Sequence, residues 1–236
     1  MLFGSAAYAF FGGALPGPLD EAIVTGLSYL VYLYGAKKAD EGQAAERYAL
    51  LLAREKAHDL LGEREAQRQD LEKLHQVAAT LDEKRQAEAA LRQANYAEGT
   101  SDFSAAVAAA QDAARLARRA GDALAEAAAC SQWGVALRRQ GDYAAAQSQI
   151  EQALELARRA RSPSTETAFL RQLGILHWHR GNMAAAKDYY AQSLEIAQGI
   201  GDRWNAGRAL NNLGTVAWAQ GEHAAARSYF EESLRL

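Results

Sequence analysis

The chain has 236 residues, 49% of them hydrophobic and 23% charged, which is enough apolar material for a packed fold and excludes a disordered polymer. Its formal net charge of −3 removes the electrostatic ground for direct nucleic-acid binding, which needs a basic face that releases counterions. A single cysteine, Cys130, excludes an internal disulfide framework and fits a reducing compartment, and with only three prolines among long runs of Ala, Leu, Glu, Gln and Arg the chain favours helix throughout.

The first forty residues are the most apolar. No side chain is charged from Met1 to Leu19, nor from Ala22 to Gly35, where the basic pair Lys37-Lys38 follows. Spanning a bilayer takes about 20 continuous apolar residues. Asp20-Glu21 divides this region, and Gly12-Gly13 and Pro16-Gly17-Pro18 turn the chain. The extreme N-terminus also lacks the Lys or Arg of a secretory signal. Residues 1–42 are therefore expected to form an apolar helical hairpin packed on a neighbour, with membrane association through residues 1–35 as the alternative.

A self-match at an interval of 40 residues organises the rest. Gly134, Gly174 and Gly214 share one column, and Gly141, Gly181 and Gly221 another. Ala146, Ala186 and Ala226 align, as do the large residues Ile150, Tyr190 and Phe230 and the leucines Leu154, Leu194 and Leu234. Upstream, Ser101-Asp102-Phe103 falls over Gly141-Asp142-Tyr143, and Asp82 leads the series Asp122, Ser162 and Asp202. Gly62-Glu63 lies 39 residues before Ser101-Asp102, which marks residues 43–82 as a degenerate hairpin of the same kind. Four clearer units follow over 83–236, at about 83–121, 122–161, 162–201 and 202–236, the last stopping inside its second helix.

Within each unit, apolar positions return every three or four residues, as in Leu170, Leu173, Gly174 and Leu176, then Ala185, Ala186, Tyr189, Tyr190, Leu194 and Ala197. Each unit is thus predicted to be a pair of helices broken at Gly141, Gly181 or Gly221, with Asp82, Asp122, Ser162 and Asp202 as N-caps between units. The small columns let two helix backbones approach while Tyr190 or Phe230 fills the space beside them. A single hairpin cannot bury its apolar face, so the units must stack. The charge alternation from Glu63 to Arg92 is expected to be a solvated surface with local ion pairs.

The phrases Leu170-x2-Leu173-Gly174-x2-His177 and Ala186-x3-Tyr190-x2-Ser193, repeated as Leu210, Leu213, Gly214, Ala217, Ala226, Phe230 and Ser233, resemble the tetratricopeptide repeat. The longer period, with Ala209-Leu210-Asn211-Asn212-Leu213-Gly214 and Gly221-Glu222-His223-Ala224-Ala225-Ala226-Arg227, resembles the arrays of bacterial signalling ATPases of the STAND class and related transcriptional regulators. The resemblance covers roughly 43–236 and implies an all-α solenoid of stacked antiparallel hairpins wound into a right-handed superhelix. It departs from the family at the tyrosine-type column, held by Leu137, His177 and Ala217, and in the missing proline after the second helix.

The family likeness implies a cytoplasmic sensor or docking arm that holds a protein or peptide on the concave face formed by first helices. Carried over by column, the partner-binding positions are Ser131, Val135, Arg138 and Arg139; Arg171, Ile175, Trp178 and His179; and Arg208, Asn211, Thr215 and Trp218. Relatives that clamp a terminal carboxylate place asparagine one residue after the glycine, where this chain has Val135, Ile175 and Thr215, so that clamp is not expected. The array ends offer a second reading, self-association of a structural module, and the chain has the character of a fragment of a larger regulator.

No enzyme is expected. A phosphate loop is missing, because the nearest string, Gly181 to Lys187, lacks the second glycine before its lysine. His177 and His179 point about 200° apart on a helix and cannot share an ion, and no other His or Cys falls at ligand spacing, so neither metal nor cofactor is expected. Gly199-x-Gly201-Asp202 follows a helix rather than a strand and is read as an inter-repeat turn.

Overall fold

The computed structural model describes residues 44–236, and the apolar hairpin expected over 1–42 lies outside them. The described residues contain ten helices and no strand, in two units divided after Thr80. No described helix is long and apolar enough to cross a membrane.

The described residues of the first unit form one hairpin, α1 (Ala44–Leu61) packed on α2 (Arg64–Ala78) around Tyr48, Leu51, Leu71 and Leu74. Its outer surface carries the expected local pairs, Arg68 with Glu65 and Glu72. The inner surface departs from the expected solvated face, for Gln67 and Asp70 are buried. Gln67 Nε2 donates to the buried Glu55 Oε1 at 2.7 Å, and the Arg54 guanidinium grips Asp70 through Nε and Nη2. Both partners sit on the other helix, so the local charge pattern carried no sign of this pairing.

The second unit stacks four hairpins: α3 (Glu83–Gly99) with α4 (Phe103–Arg119), α5 (Ala123–Gln140) with α6 (Tyr143–Arg159), α7 (Pro163–His179) with α8 (Met183–Gly199), and α9 (Arg203–Ala219) with α10 (His223–Arg235). Each first helix also packs on the first helix of the next hairpin, whereas second helices make no comparable contact with one another. First helices therefore form the closer, inner row of this unit.

The turns repeat one hydrogen-bond scheme. Asp142 N–H donates to Leu137 O and Gly141 N–H to Arg138 O, both at 3.0 Å, with Gly141 left-handed at φ +89°. This double bond satisfies carbonyls that the helix end orphans. Ser101 and Arg161 hold positive φ, 64° and 52°, where other repeats use glycine. Asp82, Asp102, Asp122, Asp142, Asn182 and Asp202 each accept the N–H three residues on, as capping requires. Ser162 does not cap in this way. Its hydroxyl pairs with Thr165 Oγ1 at 2.7 Å, and Pro163 starts the helix instead.

Close approach within each hairpin depends on the glycine column. A Cβ built on Gly174 would lie 2.3 Å from Tyr190 Cε1, one on Gly214 2.6 Å from Phe230 Cε1, and one on Gly134 2.5 Å from Ile150 Cγ1. In the first of the four hairpins both positions are alanine, so the methyl added at Ala94 is matched by the bulk absent from Ala110. Both are fully buried. Small and large have been exchanged together across the interface, as native packing density demands.

Candidate functional site

The anticipated partner-binding residues all lie on the first helices α5, α7 and α9, but not in equivalent environments. On α5, Arg139 is exposed, paired with Glu98 Oε1 at 3.1 Å, and its guanidinium carbon lies 5.4 Å from the centroid of the Phe103 ring. Arg138 beside it is half-buried and its Nε finds no acceptor. Burial, followed by the charge of Arg139, lowers its pKa. His179, exposed near the same end of α7, is also lowered, by its own burial and then by Arg138 and Arg139.

Trp178 and Trp218 occupy the same column and have opposite fates. Trp178 is half-buried and packs, with Ile175 and Met183, against the apolar cluster of Ala186, Tyr190, Leu213 and Val216. Trp218 is 63% exposed, its ring tilted against His223 at a centroid distance of 4.7 Å. Among the described residues no further first helix stands where one would cover it. Thr215 and Asn211 are exposed on the same helix, the threonine hydroxyl donating back to Asn211 O at 3.0 Å.

Arg171 is the exception to an open face. It is only 8% exposed, and its Nε is buried without a hydrogen-bond partner. Desolvation and then the nearby Arg208 push its guanidinium down to about 10. Arg208 is exposed, its guanidinium carbon 5.8 Å from the centroid of the Trp204 ring. A cavity of about 800 Å3 opens here, lined by Arg171, Arg203, Trp204, Arg208, Asn211 and Asn212 among others. It holds three guanidinium groups and two carboxamides, and no Asp or Glu contributes to its wall. Sequence columns placed Arg171, Arg208 and Asn211 on this side but left out Trp204 and Arg203, which lie at the start of α9, before the repeat motif begins.

Other residues singled out in the sequence take structural places. His177 stacks on Tyr189 with centroids 5.3 Å apart and does not line the cavity. Cys130 is buried, and burial followed by Glu126 pushes its thiol up to about 11, which keeps it protonated and inert. Among the described residues no group of three or more His, Cys, Asp or Glu could hold a metal ion.

Models of the tetratricopeptide repeat match residues 127–164 and 164–236. No curated protein matches the chain by sequence. Among solved structures, BtubC from P. vanneervenii superposes with a TM-score of 0.70 at 15% identity, over 93% of this chain and 91% of that one. A Rap protein complexed with competence and sporulation factor gives 0.75 at 12% identity, over 98% of this chain and 69% of its own. The STAND protein with a tetratricopeptide repeat sensor from Pyrococcus horikoshii gives 0.61 at 17% identity, over 89% of this chain, which spans 34% of that larger protein. At such identities the likeness is one of fold. The repeat models mark residues 127–236 as tetratricopeptide repeats, and the fold of the described residues is an all-α repeat solenoid.

Proposed function

We propose that the chain is a binding module that holds a peptide or a peptide segment of a protein on its row of first helices, and that it serves as the sensor or docking arm of a signalling protein. One observation carries the reading: the cavity bounded by α7, α9 and α10 gathers hydrogen-bond donors and an exposed aromatic ring with few partners of their own. Concave sites with a few convergent polar groups are where ligands bind, and Trp and Arg dominate the energy of interfaces. Support comes also from the Rap protein of the same fold, seen complexed with competence and sporulation factor, and from the STAND protein whose repeats are described as a sensor.

Display selection of random dodecapeptides on the immobilised full chain tests the reading. Enriched peptides should lose affinity when Trp204→Ala, Asn211→Ala or Trp218→Ala is introduced, because these exposed side chains can be removed with helicity intact. Enrichment insensitive to all three would place binding elsewhere. No enrichment would remove the peptide-binding reading.

A further inference from the structure

Exposed arginines elsewhere in the second unit mostly have acidic partners: Arg118 with Glu126, Arg158 with Glu166, Arg159 with Glu155, Arg227 with Glu231. The chain carries 29 acidic against 26 basic side chains, so counter-charge is plentiful. The arginine that most needs it has none. Arg171 is more than nine-tenths buried and makes no hydrogen bond or ion pair with any described residue, and its nearest charged influence is the like charge of Arg208. A buried, unpaired guanidinium is among the costlier features a core can hold. Methionine would fill the same volume without that cost, so a pure packing role gives no account of the charge.

The cavity has the complementary form. Arg171, Arg203 and Arg208 line it, and Asn211 and Asn212 supply carboxamides. A guanidinium presents a planar fork of donors that matches a carboxylate, and carboxamides can pair with main-chain N–H and C=O groups. The Trp204 ring adds an apolar wall, 73% exposed. We propose that this cavity takes an acidic peptide segment, with a carboxylate seated between Arg171 and Arg208 and the adjoining main chain against Asn211 and Asn212. The site differs from the asparagine clamp after the glycine column, where Ile175 and Thr215 stand. This inference rests on the peptide-binding reading above and adds the chemistry of the ligand.

The same dodecapeptide selection separates the two. The expected result is enrichment of Asp and Glu, with affinity falling about tenfold or more when those residues become Asn and Gln, and falling further as salt is raised. Resynthesis with a free or an amidated C-terminus tells whether the carboxylate comes from a side chain or the chain end. Arg171→Met and Arg208→Met should each weaken the acidic peptides by a similar factor. Arg171→Met should also melt at or above the parent temperature, which a structural role for the charge would not allow. Arg208→Met, on an exposed side chain, keeps the test valid should the buried variant fold poorly. A neutral or basic consensus, or unchanged affinity in both variants, overturns the acidic-ligand inference while leaving the peptide-binding reading in place. Absence of any enriched peptide overturns both.

Discussion

Replacing Gly174 with alanine probes the contact on which each hairpin closes. The new methyl would meet Tyr190 Cε1, Cδ1 and Cζ at 2.3, 2.6 and 2.9 Å, against an ordinary contact of about 3.4 Å or more. The ring is buried and rigid, so either it or the α7 backbone must move by about 1 Å in an interior packed to crystal density. Overpacking of this kind costs about 3 kcal/mol at the upper end of the usual range. Alanine recovers about 1 kcal/mol of helix propensity. The net expectation is a loss of about 2 kcal/mol, or a melting point lower by about 4–8 °C for a domain of this size. Gly207 supplies the control, since a Cβ there meets only Ser233 atoms at 3.6 and 3.7 Å. Gly207→Ala should raise the midpoint, because only the propensity gain remains. Thermal melts followed by far-UV circular dichroism compare the two, and a Gly174→Ala midpoint equal to or above the parent would refute the close-approach reasoning. In a Tyr190→Leu background the cost of Gly174→Ala should shrink, which ties it to the ring.

Further outcomes follow from the caps, the turns and the thiol. Asp122→Ala removes the acceptor for Ala125 N–H and the partner of Lys84, and should cost about 1 kcal/mol in urea unfolding. The carboxyls of Asp82, Asp122 and Asp202 are held below their ordinary value of 3.8, first by backbone N–H bonds. Their stabilisation is therefore complete above that value and lost as pH falls through the lower folded-state values, so the unfolding midpoint should fall on the acid side, with a shallower fall in Asp122→Ala. Arg161→Gly relieves a left-handed residue at φ 52° and should stabilise by about 0.5–1 kcal/mol, where Gly141→Ala at φ +89° should do the opposite. Cys130 should resist iodoacetamide at mildly alkaline pH in the native state and react fully in urea, and fast native labelling would contradict its burial.

The repeat interval, the helix pairs, the glycine turns and most caps were legible because they are set by neighbours in sequence. A left-handed turn needs glycine at one position, a helix start needs an acceptor three residues before its N–H, and a stacked face needs small and large residues at fixed spacing. Columns assigned Arg138, Arg139, Arg171, Trp178, His179, Arg208, Asn211, Thr215 and Trp218 to first helices, where they lie. They treated equal columns as equal places, and there the reading stopped short. Trp178 is half-buried against a cluster drawn from α8 and α9 while Trp218 is bare, a difference that the shared column could not report.

The sequence by itself determined the array: its period, its hairpins and the pairing of the glycine column with Tyr190 or Phe230. Tertiary structure decided which polar groups lost their water. Gln67 and Asp70 looked like surface and became a buried network because Glu55 and Arg54 face them from another helix. Arg171 looked like one more arginine on an open face and became a largely buried side chain without an ion-pair partner, beside a cavity lined by no Asp or Glu. Burial and pairing depend on side chains tens of residues apart, so no local pattern can report them, and those two quantities are what turn a shared repeat into a particular site.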